Sequence, residues 1–457
     1  MSIRARLIGT AALSIVWPCA ALAEAAADAQ LSGTPAAESL WPALLGEQYT
    51  FVLQHQTSLH SPYEGPFSLH ADGDTQPTNT IGFYSGWAPL YWAQLYFDTE
   101  KFMGAGVSNA TGLGGLTNGD VVREGANNLP KEFYIARAYA RFMLPLGSQL
   151  SKVEATQDQI GGTEAATRLE AKIGWLAAND DFDKNRYAGS TRTEFMNWSL
   201  WDNTAWDYAA DTRGYTAGFV LGYVSPAWSL KYGEYRMPVR ANAQELEASL
   251  ARAHGDQLEL TLSPSAVSTI VRLLAYRNVA RMGIYSQTLA LAARAHSRPD
   301  IVADDADGRT KYGFGVNLEQ PLADDGATGL FARLGWNNGE TESFAFTEVD
   351  QLASFGAQLS GSHWRRGEDV VGAAVVAEGL SAWHREYLAS GGYGFLLGDG
   401  RLDYAHEEIF EAYYRLQLPF RWARLQLSPD YQYVRNPGFN AARGPVSFFA
   451  IRFHAEH

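Results

Sequence analysis

The sequence predicts an all-β protein, a transmembrane antiparallel barrel of about sixteen strands, and three observations carry that reading. The first is the C-terminus. From Val446 onward the side chains alternate, with Ser447, Phe449, Ile451, Phe453 and Ala455 on one parity and Phe448, Ala450, Arg452, His454 and Glu456 on the other. A period of two over this length is a strand. As an edge in a soluble sandwich its aromatic face would be adhesive, whereas in a closed ring it can face lipid while the ionic face meets a watery lumen. The second is composition: 13 Trp, 23 Tyr, 22 Phe and 44 Gly suit short strands with aromatic girdles. The third is loop length. Connections 58–77, 100–131, 177–214, 278–310 and 378–406 are long, while 88–89, 225–226, 263–266, 321–327 and 419–420 are short. Long extracellular loops alternating with short periplasmic turns give this pattern when the N-terminus is periplasmic. Connection 144–166 breaks it, being long on the periplasmic side.

The N-terminus reads Met-Ser-Ile-Arg-Ala-Arg, then apolar from Leu7 to Leu22, then Ala21-Leu22-Ala23 before Glu24. That layout predicts a cleaved signal peptide over residues 1–23, exported through the Sec pathway. The run is short for a membrane span, and Pro18 interrupts it. The only cysteine, Cys19, lies inside it, so the mature chain has no thiol or disulfide chemistry to use. Losing Arg4 and Arg6 leaves 34 basic residues against 50 acidic ones and moves the formal charge from −14 to −16, which disfavours nucleic acid as a partner. Residues 24–45, Ala-rich and then apolar, read as a periplasmic lead-in, and 46–457 as the barrel.

The strands follow in order. Gln48–Thr57 alternates Tyr49, Phe51 and Leu53 with Thr50 and Gln54; Thr78–Trp87 and Leu90–Thr99 follow, separated by Ala88-Pro89. Glu132–Met143 sets Arg137, Tyr139 and Arg141 against Tyr134, Ala136, Ala138 and Phe142, and Thr167–Leu176 sets Arg168, Glu170 and Lys172 against Leu169, Ala171, Ile173 and Trp175. Tyr215–Val224 and Trp228–Tyr235 form a hairpin. Gln244–Leu262 reads either as two strands joined at Gly255-Asp256 or as one long strand; the shared parity of Leu246, Ala248, Leu250, Leu258, Leu260 and Leu262 and an even strand count favour the single strand. Val267–Arg277, Lys311–Gln320, Thr328–Asn337, Leu352–Ser360, Val370–Ala377, Glu407–Leu418, Ala423–Val434 and the closing strand complete the set.

Three segments resemble the carbohydrate-selective porin family, the OprB-type outer-membrane channels. They are Asp180-Asp-Phe-Asp-Lys-Asn-Arg-Tyr187, continuing through Asn197-Trp-Ser-Leu-Trp-Asp202 to Trp206-Asp-Tyr-Ala-Ala-Asp211; Glu407-Glu-Ile-Phe-Glu-Ala-Tyr-Tyr-Arg-Leu416; and Pro429-Asp-Tyr-Gln-Tyr-Val-Arg-Asn-Pro-Gly438, running through Arg443-Gly-Pro-Val446 into the last strand. The match is collinear from about residue 46 to the end. One departure is His457 at the terminus, where such barrels usually end in an aromatic residue. The resemblance implies a passive diffusion channel for mono- or small oligosaccharides in the outer membrane of a Gram-negative cell. It also implies that loops 104–120 and 177–214 narrow the channel.

A porin's chemistry is the lining of its constriction. Neutral, hydroxyl-rich solutes call for bidentate Arg donors, carboxylate acceptors and flat aromatic faces. The polar strand faces offer Asp98, Arg137, Tyr139, Arg141, Arg168, Glu170, Lys172, Glu411 and Arg415, and the 177–214 loop offers Trp198, Trp201, Asp202 and Asp207. Arg137 and Arg141 are four residues apart on one strand and are expected to face loop acceptors such as Asp202 or Asp207 across the lumen. The glycine-rich 104–120 segment lacks the Gly-Lys-Ser/Thr of a phosphate cradle. Asp181-x-Asp183-x-Asn185 opens like a calcium loop but places Arg186 and Arg192 where Gly and Glu are required. Neither a metal nor a cofactor is therefore expected, and the expected partners are sugars and outer-membrane lipids, as a monomer or a homotrimer. Organic acids or polyols as solutes, and a barrel enzyme acting on lipid through His384, His406 or His454, are the competing functions.

Overall fold

The computed structural model describes residues 41–120, 129–264 and 268–457. The expected signal peptide over residues 1–23, and the expected lead-in as far as residue 40, lie outside the described residues. Sixteen strands close into a barrel among them: β1 (Leu44–Gln56), β2 (Asp74–Leu90), β3 (Ala93–Met103), β4 (Tyr134–Pro145), β7 (Arg168–Leu176), β8 (Thr216–Val224), β9 (Trp228–Arg236), β10 (His254–Leu262), β11 (Ile270–Met282), β12 (Ala306–Ala323), β13 (Thr328–Asn337), β14 (Gln351–Ser360), β15 (Val370–Gly379), β16 (Glu407–Leu418), β17 (Arg424–Arg435) and β18 (Val446–Glu456). Each pairs antiparallel with its neighbours, and β1 pairs with both β2 and β18, so the ring has no edge. Closure satisfies the backbone polar groups that lipid cannot. No helix among the described residues is long and apolar enough to cross a membrane. The two remaining strands, β5 (Leu150–Val153) and β6 (Gly162–Ala165), form a separate hairpin.

The alternation read from the sequence sorts the side chains as a membrane requires. Leu53, Phe97, Leu221, Leu273, Phe314, Phe355, Phe449 and Ile451 form part of an exposed apolar outer face, and Tyr91, Trp92, Trp228, Phe420 and Trp422 add aromatic residues near the short turns. The inward parity of β18, Phe448 to His454, is buried.

Several strands run a few residues beyond or short of their predicted bounds, β2 extending through Ala88-Pro89 to Leu90 and β12 spanning Ala306–Ala323, but the largest departure is at β10. Gln244–Leu262 is not a single strand: β10 begins at His254, and the preceding residues fold back as a loop, with the Glu247 N–H donating to the Met237 carbonyl and the Val239 N–H to the Glu245 carbonyl. Leu246, Ala248 and Leu250 share a parity without a ladder. Strand spacing alone could not distinguish the two cases, because a loop closing on itself can carry the same spacing.

The interior is packed rather than empty. Loop residues Leu113, Tyr187, Ala188, Phe195 and Leu200 form a core with inward strand residues Phe331, Val370, Val376, Tyr413 and Phe448. On another side, Phe182, Trp206 and Tyr208 pack with Val220, Tyr235 and Tyr276. A loop inside a barrel carries main-chain groups that need partners away from water. The strands supply them. Arg333 on β13 donates to the carbonyls of Leu200 (2.6 Å) and Ala188 (2.7 Å) and to the Asp183 carboxylate (2.7 Å). Glu411 on β16 accepts the N–H groups of Met196 (2.5 Å) and Asn197 (3.0 Å), and Arg452 on β18 donates to the Thr191 and Glu194 carbonyls. Gly335 makes room for this loop, since a Cβ there would lie 2.1 Å from the Asn203 side-chain oxygen. Met196 packs between Val52 of β1 and Ala450 of β18, across the seam where the ring closes. Loop 104–120 is fixed in the same way: Gln54 donates to the Thr117 carbonyl, Asn118 to Thr78, and the Gly114 N–H to Glu407.

Candidate functional site in the barrel lumen

What the loops leave open is a cavity of about 900 Å³ that runs between the two ends of the barrel. Towards the long loops its wall is aromatic. Trp198 stacks on Phe346 at 4.9 Å with an interplanar angle of 12°, Tyr208 approaches the same ring at 4.4 Å, and Trp201 meets it edge-on. Trp198 and Trp201 lie on a single helical turn, Trp198–Trp201, whose N-terminus is capped by the Asn197 side chain accepting from the Ser199 N–H. Asp202 follows it and also lines the cavity.

Deeper in, the lining is ionic and cross-braced. Arg137 holds Asp180 in a two-pronged pair (Nε–Oδ2 2.5 Å, Nη2–Oδ1 2.7 Å) and lies 3.8 Å from Asp98. Arg192 lies 3.0 Å from both Glu100 and Asp120 and donates to the Tyr84 hydroxyl. At the short-turn end, the cavity is bounded by Gly46, residues 155–158, Arg424, His454 and His457.

The loop carboxyls divide by environment. Burial pulls Asp180 upward, but the adjacent Arg137 guanidinium prevails and holds it down at about 2. Burial, reinforced by the nearby Asp183, pushes Asp202 up to about 7. Burial also raises Asp211 to about 6 against the N–H groups of Tyr215 and Arg213. Both therefore gain negative charge as pH rises through the range about 5 to 8, so the lumen is expected to favour cations more at pH 8 than at pH 5.5. Reversal potentials in a salt gradient measure this, and Asp202→Asn should flatten the upper part of the curve.

Of the residues proposed from the sequence, Arg137, Trp198, Trp201 and Asp202 line the cavity. The others face inward but are covered. Arg141 pairs with Glu170 (2.6 Å) and with Glu164 of the β5–β6 hairpin, and Arg168 joins the same carboxylates. Lys172 is bound to Asp181 at 2.8 Å and Tyr139 stacks on Tyr96 at 4.9 Å. Asp98 is fully buried. Asp207 is a correction: its carboxylate accepts the N–H groups of Phe344, Ala345 and Phe346 (2.7–3.0 Å) and anchors that loop instead of facing the lumen. Glu411 and Arg415 likewise bind loop backbone, Arg415 at the Thr193 carbonyl (2.9 Å). The expected acceptor for Arg137 is also replaced, because Asp180 occupies the place assigned to Asp202 or Asp207. Asp180 lay within the segment that carries the family resemblance, whereas Phe346 had no marker in the sequence.

His384 is buried beneath the long loops, 3.0 Å from Asp350, and His454 faces inward. Neither sits on the lipid-facing surface, as a lipid-directed catalytic histidine would have to; His406 is exposed just before β16, where its ring meets Tyr404 edge-on at 5.7 Å.

The solved structures most similar to this fold include the high-pH structure of Pseudomonas putida OprB (13% identity, TM-score 0.66, covering 91% of this chain and 94% of that one). The low-pH structure of the same protein aligns at 11% identity with a TM-score of 0.43 over 90% and 92%. The Acinetobacter baumannii channel DcaP aligns at 11% with a TM-score of 0.44 over 91% and 96%. No curated protein matches the chain. The model of the carbohydrate-selective porin, OprB family, matches residues 86–456. With that match spread over the closed sixteen-strand barrel, the chain belongs to the carbohydrate-selective porins, outer-membrane channels for small polar solutes.

Proposed function

We propose that this porin is a passive diffusion channel with a preference for mono- and small oligosaccharides. The observation that carries the reading is the cavity wall itself, where a face of Trp198, Trp201, Tyr208 and Phe346 stands beside the Asp202 carboxylate and above the Arg137–Asp180 pair. A pyranose presents an apolar face to an aromatic ring and a rim of hydroxyls to paired donors and acceptors, and this wall offers both in succession. The volume suits a sugar of one or a few rings. A carboxylate-rich lining makes organic acids poorer candidates than neutral solutes. Purified protein in a planar bilayer is expected to conduct ions, with millimolar sugar partly blocking the current and an organic acid at the same concentration blocking less. Absence of conductance would refute the channel, and equal block by both solutes would refute the preference.

A further inference from the structure

The long connection on the short-turn side does more than join two strands. Residues 150–165 fold into the β5–β6 hairpin, in register from Leu150↔Ala165 to Val153↔Gly162. The hairpin is drawn inward at three points. Glu164, buried on β6, accepts from both Arg141 and Arg168 on the barrel wall. Ile160 is buried where side chains of β1 and β2 meet, close enough that a Cβ on Gly86 would lie 3.0 Å from it, and its N–H donates to the Tyr96 hydroxyl. The Gln157 carbonyl lies so close to Gly46 of β1 that a Cβ there would come within 3.0 Å of it. The hairpin starts from β4 and reaches over β3 and β2 to β1, which brings its tip, residues 155–158, to the wall of the cavity.

The tip carries one ionic side chain, Asp158, half-buried and held at 3.2 Å by the Thr156 hydroxyl. It is among the acidic groups whose charge acts on Arg137. The opposite-facing ions of the hairpin behave differently: Lys152 and Glu154 pair at 2.6 Å, with three-quarters of each side chain exposed. The inward bracing therefore presents Asp158, and not the hairpin's other charges, to the solute path.

We propose that residues 155–158 form a second filter at the periplasmic mouth of the channel, with Asp158 as its charge-determining group, acting in series with the aromatic and Arg137 wall. The filter discriminates against anionic solutes such as sugar acids and sugar phosphates as they leave the lumen. It rests on the channel reading above and adds a site built from a periplasmic turn. A fixed carboxylate in a narrow aqueous path raises local cation concentration and repels anions, and its field is less screened there than in bulk water.

Asp158 is half-exposed and its carboxylate is held by a hydroxyl of its own turn, so its replacements should fold. Asp158→Lys is expected to shift the cation/anion permeability ratio towards anions by about twofold or more, and Asp158→Asn by a smaller step in the same direction. In Asp158→Cys, prepared without the leader that contains Cys19, positively and negatively charged thiosulfonate reagents should move the reversal potential in opposite directions. Complete labelling, confirmed by mass spectrometry, with conductance and reversal potential unchanged would overturn the filter, as would a cysteine that no reagent reaches. A wild-type protein that does not conduct would instead count against the channel reading, which keeps the two failures distinct.

Discussion

Arg333→Ala is expected to free the 180–202 loop from the barrel wall, raising single-channel conductance and making that loop a protease target while strand content is retained. The side chain is fully buried and bonds five acceptors: the Asp183 carboxylate and carbonyl, and the carbonyls of Ala188, Leu200 and Trp201. Alanine leaves the Asp183 carboxylate buried without its cation and orphans several carbonyls. Removing one partner of such a pair costs about 3–5 kcal/mol, mainly through the uncompensated charge that remains. Lysine should not rescue, because a single ammonium cannot span acceptors that a planar guanidinium reaches together. Gly335→Val should give a similar conductance phenotype by a steric route, pushing against Asn203 with every ionic contact left in place. Conductance histograms alongside limited proteolysis read both effects, and wild-type behaviour of Arg333→Ala in both would remove the arginine from loop anchoring.

The second large effect is expected at Arg137. Its guanidinium neutralises Asp180 on the cavity wall and stands near Asp98. Arg137→Ala should widen the path, shift selectivity towards cations and weaken block by sugar. Replacing Arg141 should act differently, since that residue is committed to Glu164 and Glu170, and its loss loosens the periplasmic hairpin before it alters the central wall. A pH signature separates the two. Asp180 is held at about 2 in the folded protein, below the ordinary range for Asp of about 3.9. Its pairing therefore stabilises the loop above pH 4, and that contribution is lost as pH falls through about 2. In Arg137→Ala the advantage is absent at neutral pH, so its acid transition should begin at higher pH than in wild type or Arg141→Ala. Unfolding midpoints across pH 2–7 test this, and coincident curves for all three proteins would count against it.

The strand order was legible because a barrel wall imposes a strict constraint: each strand residue meets either lipid or the lumen, and a period of two records the choice. That signal placed Arg137, Arg141, Arg168, Glu170, Glu411 and Arg415 inward correctly. It could not say what lies opposite. Arg415 and Glu411 meet loop backbone, Arg141 meets the hairpin, and Arg137 alone of these borders the luminal cavity. The same limit explains Asp207, whose acceptor capacity is used by three backbone N–H groups from a loop more than 130 residues away in sequence. Parity is a local property, whereas occupancy of the lumen depends on how distant loops share a confined volume. The aromatic ledge was half legible: Trp198 and Trp201 were visible as a cluster, but their partner Phe346 comes from a loop with no strand period to mark it.

The seam between the first and last strands carries a further consequence. Met196 is wedged between Val52 and Ala450, and Arg452 grips the Thr191 and Glu194 carbonyls 261 and 258 residues away in sequence. This mid-chain segment is a locking pin for the joint, and the hole it fills does not exist until β1 and β18 have come together. The pin is thus complete only in a closed ring, and it ties selectivity to closure: the segment that narrows the lumen is held by the two strands whose pairing removes the last edge.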